Sequence, residues 1–354
     1  MIGTRRLLAI PLAVALSATT LEAQTPQAQA PFLQAFLFGD VLFTLQDADV
    51  PDGFRLGQMV AHGNATLSER VVFFGELSVT ARTSGYSLAM ERAIIRYDFS
   101  DPVKVSAGRY HTPISYWNTE YHHGLWLQGS VARPEAIKFG SRYIPVHFVG
   151  AMLEGNLQDI PVHYSVGFGN GRGANIAAAG DAGDVNGKRA FIASASVRPR
   201  SLFGFRVGGG VYFDRISVGG VEFADELITS AHLVWKRGSV DLVAEYINVS
   251  HEPVAGGASE SSPAWYLHLG YRLSGDARDL MPYVRYESMD IAAGDLVFTG
   301  QVSDYDAFVL GARYDFSELA ALKAEYRSEE VGGGDRLDAY YIQASFAIPV
   351  AGGS

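Results

Sequence analysis

The sequence predicts an all-β fold, an antiparallel transmembrane β-barrel of about sixteen strands with an inward-folded loop after strand 5. Three observations favour this fold. Apolar and polar residues alternate with period two through most of the chain, as in strands whose two faces meet different surroundings. Connections between the alternating segments are short after even-numbered strands and mostly longer after odd-numbered ones. Aromatic residues of the apolar face concentrate near the segment ends, as in the girdles of membrane barrels.

The N-terminus has the features of a secretory signal peptide. Arg5 and Arg6 precede a short apolar run and then small residues, so we predict a signal peptide over residues 1–23. A membrane anchor is the alternative, although the apolar run is shorter than the roughly 20 residues that a spanning helix needs. A short linker over 24–31 and a single barrel domain over 32–350 complete the predicted organisation.

The composition excludes several classes of protein. The chain has no cysteine, so disulfides and thiolate metal sites are absent, and its net charge of −10 argues against nucleic-acid binding. After the signal peptide there is no run of about 18 consecutive apolar residues, so no transmembrane helix is predicted. An exported chain rich in aromatic, alternating segments is then either a soluble β-sandwich or repeat protein, or an outer-membrane barrel.

Alternation assigns the strands. Within 307–316, for example, Phe308 and Leu310 share one face while Arg313 and Asp315 share the other. The predicted strands are 32–45, 54–66, 70–81, 87–99, 102–110, 142–154, 159–169, 188–199, 203–215, 224–237, 239–250, 263–274, 279–290, 304–316, 319–329 and 336–348.

The lengths of the connections indicate which end of the barrel faces the periplasm. Connections after even-numbered strands, such as 67–69 and 100–101, are short, whereas 111–141 and 170–187 follow odd-numbered strands. Outer-membrane barrels have short periplasmic turns and longer outer loops, and a soluble sandwich has no reason to sort its loops in this way. The predicted location is therefore the outer membrane of a Gram-negative bacterium.

The apolar face carries aromatic residues in two groups that would form two rings. The predicted outward aromatics are Tyr97, Phe99, Trp235, Tyr271, Tyr314, Phe316 and Phe346 at the short-turn end, and Phe168, Phe213, Tyr246, Tyr286 and Tyr326 at the long-loop end.

The polar face is predicted to line an aqueous channel, because a closed barrel of this size encloses one. Charges there would be solvated and could bias which ions pass; a salt-bridged wall without selectivity is the alternative. The predicted pore-lining residues are Arg92, Arg96, Arg272, Arg285, Glu287, Arg313, Asp315, Lys323, Glu325 and Arg327.

Short stretches resemble a known family, the porin O and porin P type outer-membrane proteins, often called phosphate-selective porins. The likeness lies in 105–113 (VSAGRYHTP), 167–173 (GFGNGRG), 310–316 (LGARYDF) and 322–326 (LKAEY). It implies a general porin. Phosphate selectivity in that family rests on lumenal Arg and Lys and on lysines of the constriction loop, and 111–141 here has the single lysine Lys138, so the phosphate specificity is not carried over.

The segment 111–141 interrupts the alternation and is predicted to fold into the channel and narrow it, as the loop at this position does in general porins. A connection of this length is uncommon and is usually functional; an ordinary outward loop is the alternative. The predicted constriction residues are Arg109, His111, Tyr116, Trp117, Glu120, Tyr121, His122, His123, Trp126 and Arg133.

The histidines of this segment raise two further questions. Because their unperturbed pKa lies near 6.5, acidification is expected to raise the anion preference of the pore. Metal ligation by His111, Glu120, His122 and His123 is the other candidate, but adjacent histidines alone are weak evidence, so no metal site and no cofactor are predicted.

The expected function is a porin, a water-filled channel for small hydrophilic solutes or ions, with anion preference left open. Its expected partners are outer-membrane lipid and these solutes or anions, with a homotrimer left open. The alternatives are a lipase- or esterase-like barrel enzyme and a surface receptor or adhesin. The chain has no G-x-S-x-G, and His251-Glu252 is followed by Pro253 without the second histidine of H-E-x-x-H, so no enzyme activity is predicted.

Overall fold

The computed structural model forms a closed antiparallel barrel, which confirms the predicted fold. Each strand pairs with its neighbours in sequence, and β1 pairs with β16 to close the cylinder. The predicted signal peptide and linker lie outside the described residues, and the domain limits stay predictions. The structure describes residues 32–47, 52–157, 159–173, 176–177 and 180–350.

Within these residues the barrel has sixteen strands. The strands are β1 (Phe32–Gln46), β2 (Gly53–Thr66), β3 (Val71–Arg82), β4 (Gly85–Asp98), β5 (Lys104–His111), β6 (His147–Asn156), β7 (Val162–Asn170), β8 (Arg189–Val197), β9 (Phe205–Val218), β10 (Val221–Arg237), β11 (Val240–Pro253), β12 (Glu260–Tyr271), β13 (Leu280–Met289), β14 (Tyr305–Ser317), β15 (Ala320–Val331) and β16 (Leu337–Val350). The helical elements are α1 (Tyr116–Glu120) and the 3-10 turns Glu135–Ile137 and Gly275–Ala277. Among the described residues, no helix is long and apolar enough to cross a membrane.

The largest difference from the predicted boundaries is at β6. We predicted its start at residue 142, but pairing with β5 begins only at His147. Residues 142–146 are still crossing the lumen: Tyr143 is fully buried, and its hydroxyl donates to the carbonyls of Ile247 and Ser262 at 2.9 and 2.6 Å. The predicted strand therefore begins five residues too early, because 142–146 pack against the inside of the wall before the chain joins the sheet at His147.

The predicted faces of the strands are confirmed by exposure. Outward aromatics at both ends of the barrel are exposed, for example Phe168 at 60% and Tyr271 at 55%. Large aromatic side chains are exposed on the outer face of a membrane barrel because they contact the apolar bilayer there and not water. The other exposed members of the two rings are Tyr97, Phe99, Phe213, Trp235, Tyr246, Tyr286, Tyr314 and Phe316.

Strand β4 contains a bulge that the alternation did not reveal. Glu76 pairs with Arg92 and Leu77 pairs with Met90, so Glu91 is an extra residue. A bulge re-aims side chains, and one extra residue exchanges the two faces of a strand. Met90 is consequently 50% exposed on the outer face, while Glu91 is buried on the lumenal face beside Arg92.

The last strand extends to the end of the described chain. Ala347 pairs with Phe38, and Val350 pairs with Ala35. The residues that follow Phe346 are therefore part of the seam that closes the barrel, at least to Val350.

The hydrophobic core lies inside the barrel. Fully buried side chains such as Trp117, Ile137 and Tyr143 come from the connection between β5 and β6, and they pack against inward residues of the wall such as Ile228 and Val249. The wall and this connection thus form one packed unit.

Candidate functional site

The connection between β5 and β6, residues 112–146, lies inside the barrel; we call it the inserted segment. Most of its side chains are buried, and α1 is its helical turn. The predicted inward fold is confirmed. The position follows from its composition, because the apolar side chains and the many backbone polar groups of this segment need partners that the lumenal wall provides.

Glu245 of β11 holds the beginning of α1. Its carboxylate accepts the backbone N–H groups of Tyr116 and Trp117 at 2.7 and 2.8 Å, and Ser115 caps the helix by accepting the N–H of Asn118 at 3.1 Å. The first N–H groups of a helix have no partner within the helix, and a carboxylate beside them is favourable.

Strand β13 holds the middle of the inserted segment. Arg285 donates to the hydroxyl of Ser130 at 2.7 Å and to the carbonyl of Ala132 at 2.9 Å. Glu287, two residues further along the same face, accepts the N–H of Glu135 at 2.6 Å. The positively charged Arg285 thus donates to a backbone carbonyl group of the segment, and the negatively charged Glu287 accepts one of its backbone N–H groups.

Strands β14 and β15 continue this pattern. Arg313 donates to the carbonyl of Gln128 at 2.9 Å, and Glu325 accepts the N–H of Val131 at 2.8 Å. Lys323 is fully buried and donates to the carbonyl of Ser130 at 3.1 Å. The charged wall that we expected to face water therefore supplies hydrogen-bond partners to the inserted segment.

The remaining predicted charges of this wall pair with one another. Asp315 accepts from Arg272 at 2.6 Å and from Arg313 at 2.7 Å, and Arg327 lies 3.3 Å from a carboxylate oxygen of Glu325. Arg327 and Glu325 are buried, so each of these two charges would be costly to leave unpaired, whereas Arg272 and Asp315 are only partly buried.

A cavity of about 710 Å³ remains between the inserted segment and the wall from β2 to β10. Five predicted residues line it: Arg92, Arg96 and His111 on the wall, from β4 and the end of β5, and Tyr116 and Glu120 on the inserted segment. The short periplasmic β6–β7 turn also lines it through Asn156, Leu157, Pro161 and Val162, so the cavity extends to the periplasmic end.

The charges around this cavity are arranged in pairs. Arg92 contacts Glu76 at 2.7 Å, and Arg96 contacts Asp98 at 2.7 Å. Glu120 of the inserted segment accepts from Arg206 across the cavity. Pore lining by Arg92 and Arg96 stays a prediction. Both arginines line the cavity, whereas their partners Glu76 and Asp98 are not among its lining residues.

The other predicted constriction residues lie at different heights. Arg109 donates to Asp181 at 2.7 Å at the long-loop end, whereas the Trp126 indole donates to the carbonyl of Glu318 at 3.2 Å in a periplasmic turn. Trp117 and Tyr121 pack against each other with ring centroids 5.0 Å apart. The inserted segment starts directly after β5 at the long-loop end and reaches a periplasmic turn through Trp126, so it spans the depth of the barrel.

Arg133 and the two adjacent histidines are buried in the inserted segment. Arg133 donates to the carbonyl of His122 at 3.1 Å, and burial lowers the pKa of its guanidinium to about 9. Burial also holds the pKa of His122 well below its usual value. His123 lies against Phe139 with the two rings stacked. The expectation that His122 titrates near pH 6.5 is therefore wrong.

A second polar cluster lies at the long-loop end, and the sequence did not reveal it. His251 is placed between two carboxylates, with Glu226 at 3.0 Å and Asp295 at 2.7 Å, and Glu226 also contacts Arg172 at 2.8 Å. Arg172 and Asp295 come from two different outer connections. The cluster therefore joins both connections to the wall, and only the folded chain brings its members together.

No protein-family model and no curated protein matches the sequence. Solved structures do match. An anion-selective porin from Comamonas acidovorans has a TM-score of 0.66 at 12% identity, with 90% of this chain and 100% of that chain covered. OmpF of Salmonella typhi, in complex with daunomycin, has a TM-score of 0.62 at 13% identity, with 90% and 97% covered.

A third match is the outer-membrane channel DcaP of Acinetobacter baumannii, with a TM-score of 0.59 at 13% identity and 90% and 97% of the two chains covered. Identities this low establish the fold alone. The chain has the fold of outer-membrane porins, and its inserted segment is packed inside the barrel.

Proposed function

We propose that this protein is a porin of the outer membrane of a Gram-negative bacterium, which lets small hydrophilic solutes or ions diffuse through its lumen. The observation that carries this proposal is the contrast between the two faces of the closed barrel. The outer face is apolar with two rings of exposed aromatics, and the inner face holds charged side chains around a cavity of about 710 Å³. A barrel with these faces fits a bilayer outside and water inside.

The inserted segment supplies the constriction in this proposal. It fills the lumen beside β11 to β15 and leaves free volume beside β2 to β10, so the solute path follows the second group of strands. The segment is bound to the wall by hydrogen bonds, since Glu245 and Glu325 accept its backbone N–H groups and Arg285 donates to Ser130. A constriction bound to the wall in this way suits passive diffusion through the remaining volume.

Anion preference is part of this proposal. Four arginines line the cavity, Arg92, Arg96, Arg198 and Arg206, against the two carboxylates Glu120 and Glu154, whereas Glu76 and Asp98, which pair with Arg92 and Arg96, are not among its lining residues. The match with an anion-selective porin is in line with this excess. Phosphate specificity of the porin O and P type is not part of the proposal, because Lys138, the one lysine of the inserted segment, pairs with Glu135.

We include a homotrimer in the proposal. OmpT of Vibrio cholerae, which is described in a trimer form, matches with a TM-score of 0.60 at 14% identity over 90% of this chain. Chemical cross-linking of the purified protein in detergent tests the assembly separately from conduction, and a purely monomeric species would contradict it.

Single-channel recording in planar bilayers tests the pore. We expect stepwise conductance and a reversal potential on the anion-selective side under a KCl gradient. Arg206→Gln should shift that potential toward cation preference, whereas Arg70→Gln, in an exposed periplasmic turn, should leave it unchanged. Folded, membrane-inserted protein without conductance would overturn the proposal, and hydrolysis of lipid or ester substrates would favour the enzyme alternative.

A further inference from the structure

Four histidines and two glutamates meet in one buried group beside the inserted segment. His122 and His123 belong to the segment, His111 ends β5 and His147 begins β6. Side-chain exposures are 1% for His122, 0% for His123 and 11% for His147. Glu76 and Glu91 project from β3 and β4. We call these six residues the histidine cluster.

The bulge in β4 is what brings Glu91 into this cluster. Without the extra residue, strict alternation would direct Glu91 outward with Ala93 and Ile95. The bulge turns it inward, where the side-chain exposure of Glu91 is 8%. A charged side chain buried by a local irregularity of the strand needs a partner, because an isolated buried charge is costly.

The Nε2 atoms of three histidines point at one oxygen of this carboxylate. From Glu91 Oε2 the distances are 2.9 Å to His147, 3.3 Å to His123 and 4.0 Å to His122. In the part of the chain that the structure describes, none of these three Nε2 atoms makes a hydrogen bond of acceptable geometry. The three nitrogens therefore converge on one carboxylate oxygen while none of them has a hydrogen-bond partner within the described residues.

Asn118 determines which nitrogen of His122 carries the proton. The amide nitrogen of Asn118 donates to the carbonyls of Thr112 and Val146 at 3.1 and 2.9 Å, so its oxygen faces His122. That oxygen lies 2.8 Å from Nδ1 of His122, which must therefore be the donor. The neutral ring then directs the lone pair of Nε2 into the cluster.

His123 has the same arrangement through Gln58. The amide nitrogen of Gln58 donates to the hydroxyl of Thr80 at 2.9 Å, which leaves its oxygen 3.0 Å from Nδ1 of His123. Metal-binding histidines characteristically donate their outer N–H to an amide or carboxylate oxygen in this way, which fixes the ring and the tautomer. Two lone pairs and a carboxylate oxygen thus face one another, and such a set attracts a cation.

We propose that Glu91, His122, His123 and His147 bind one divalent transition-metal cation of the Zn²⁺ class, which ties the inserted segment to β4 and β6. Imidazole with one carboxylate is a donor set that Zn²⁺ accepts, whereas Mg²⁺ and Ca²⁺ require mostly oxygen. Tetrahedral Zn²⁺ spaces its ligand atoms about 3.4 Å apart, and the three histidine nitrogens lie 2.9, 3.3 and 4.0 Å from Glu91 Oε2, on either side of that spacing.

The neighbouring residues support the site. His111 stacks on His122 with ring centroids 3.5 Å apart, and its Nε2 lies 3.3 Å from Glu76. Arg92 pairs with that same glutamate. Glu120, a metal candidate by sequence, is excluded because it pairs with Arg206 across the cavity. The metal site does not depend on the proposed pore function.

Metal binding is measured on the full chain, purified in detergent without a polyhistidine tag. After chelator treatment and dialysis, titration calorimetry with ZnCl₂ should show binding of about one ion per chain, and MgCl₂ should show none. Co²⁺ should give the intense visible absorption of a tetrahedral site, which added Zn²⁺ removes. Glu91→Gln and His123→Gln should abolish both signals, while His232→Gln, in the cavity outside the cluster, should keep them.

Gln58→Ala provides a variant that keeps every ligand. Loss of the hydrogen bond to His123 should weaken Zn²⁺ binding by about 10–100-fold without abolishing it. Each variant is first shown to be folded by its faster migration on gels without heating. Folded wild-type protein that binds no Zn²⁺, or equal binding by wild type and Glu91→Gln, would overturn the site. Since the readout is binding in detergent, absence of conductance would count against the pore alone.

Discussion

The carboxylate of Glu245 on β11 accepts the backbone N–H of Trp117 in α1 at 2.8 Å, across 128 residues of sequence. The same carboxylate accepts the N–H of Tyr116, so a single wall residue satisfies the start of the helix inside the barrel. The inserted segment is held by such contacts from β11, β13, β14 and β15. Its position is therefore decided by the charges of the wall.

Glu245→Ala should loosen the beginning of the inserted segment. Two buried N–H groups would lose their acceptor, at a cost of about 1–3 kcal/mol for each. We expect the variant to unfold at a lower temperature, measured as the temperature at which its band on gels shifts from the folded to the unfolded position. We also expect noisier single-channel currents. Glu252→Ala, an exposed residue at the end of the same strand, is the matched control. A variant as stable as this control would show that the contact contributes little.

Replacing Thr119–Arg133 with a short Gly/Ser linker should widen the pore. The replaced part contains Trp126 and the carbonyl groups that Arg313 and Lys323 hold, so its removal frees lumenal volume and exposes those cations to water. Single-channel conductance and the size limit for neutral solutes should both rise, with stronger anion preference. Deleting 254–259, the β11–β12 connection, should change neither. Unchanged conductance in the first variant would mean that the replaced residues do not narrow the path.

Phe346→Ala should lower the amount of assembled barrel more than Ser345→Ala does. Phe346 faces outward beside Gly39 on the closing seam, whereas Ser345 is buried in the lumen and its hydroxyl makes no hydrogen bond within the described residues. Loss of the half-buried ring should cost about 1–2 kcal/mol, and loss of the unpaired hydroxyl should cost little. Gel bands of folded and unfolded protein from isolated membranes measure both. Equal effects would argue against the assigned faces.

Acidification should destabilise the packed inserted segment through His122. The folded-state pKa of His122 lies below the usual 6.5, because burial opposes the charged ring. The unfolded chain therefore binds more protons below pH 6.5, and stability falls there by at most about 1.4 kcal/mol for each pH unit. The groups facing this ring are His111, His123, His147, Glu91 and Arg133.

The pH effect is measured as the temperature of the gel-migration shift at pH 7.5 and pH 5, with a chelator present so that metal binding does not contribute. We expect a lower value at pH 5 in the wild type and a smaller difference in His122→Gln. A wild type whose transition is the same at both values of pH would show that His122 does not govern the acid sensitivity of the segment.

The sequence by itself determined the barrel, its strand count and, except at the bulge in β4, which face of each strand points outward. These properties follow from local patterns. Period-two alternation indicates whether a side chain faces lipid or the lumen, and loop length indicates at which end of the barrel a connection lies. The predicted inward course of the segment after β5 also came from the sequence, since 111–141 breaks the alternation and carries aromatic and polar residues together. Of the constriction residues, His111, Tyr116 and Glu120 line the remaining cavity.

Only the tertiary structure decided what the charged residues contact. Arg285, Lys323 and Glu325 were assigned to the correct face, but their partners in the inserted segment lie 153 to 198 positions away, a separation over which no local pattern gives information. Glu91 points inward because of a single extra residue in β4, and the alternation of apolar and polar residues in the sequence does not reveal such a bulge. His147 joins the histidine cluster because β6 pairs with β5, so strand register placed the fourth histidine.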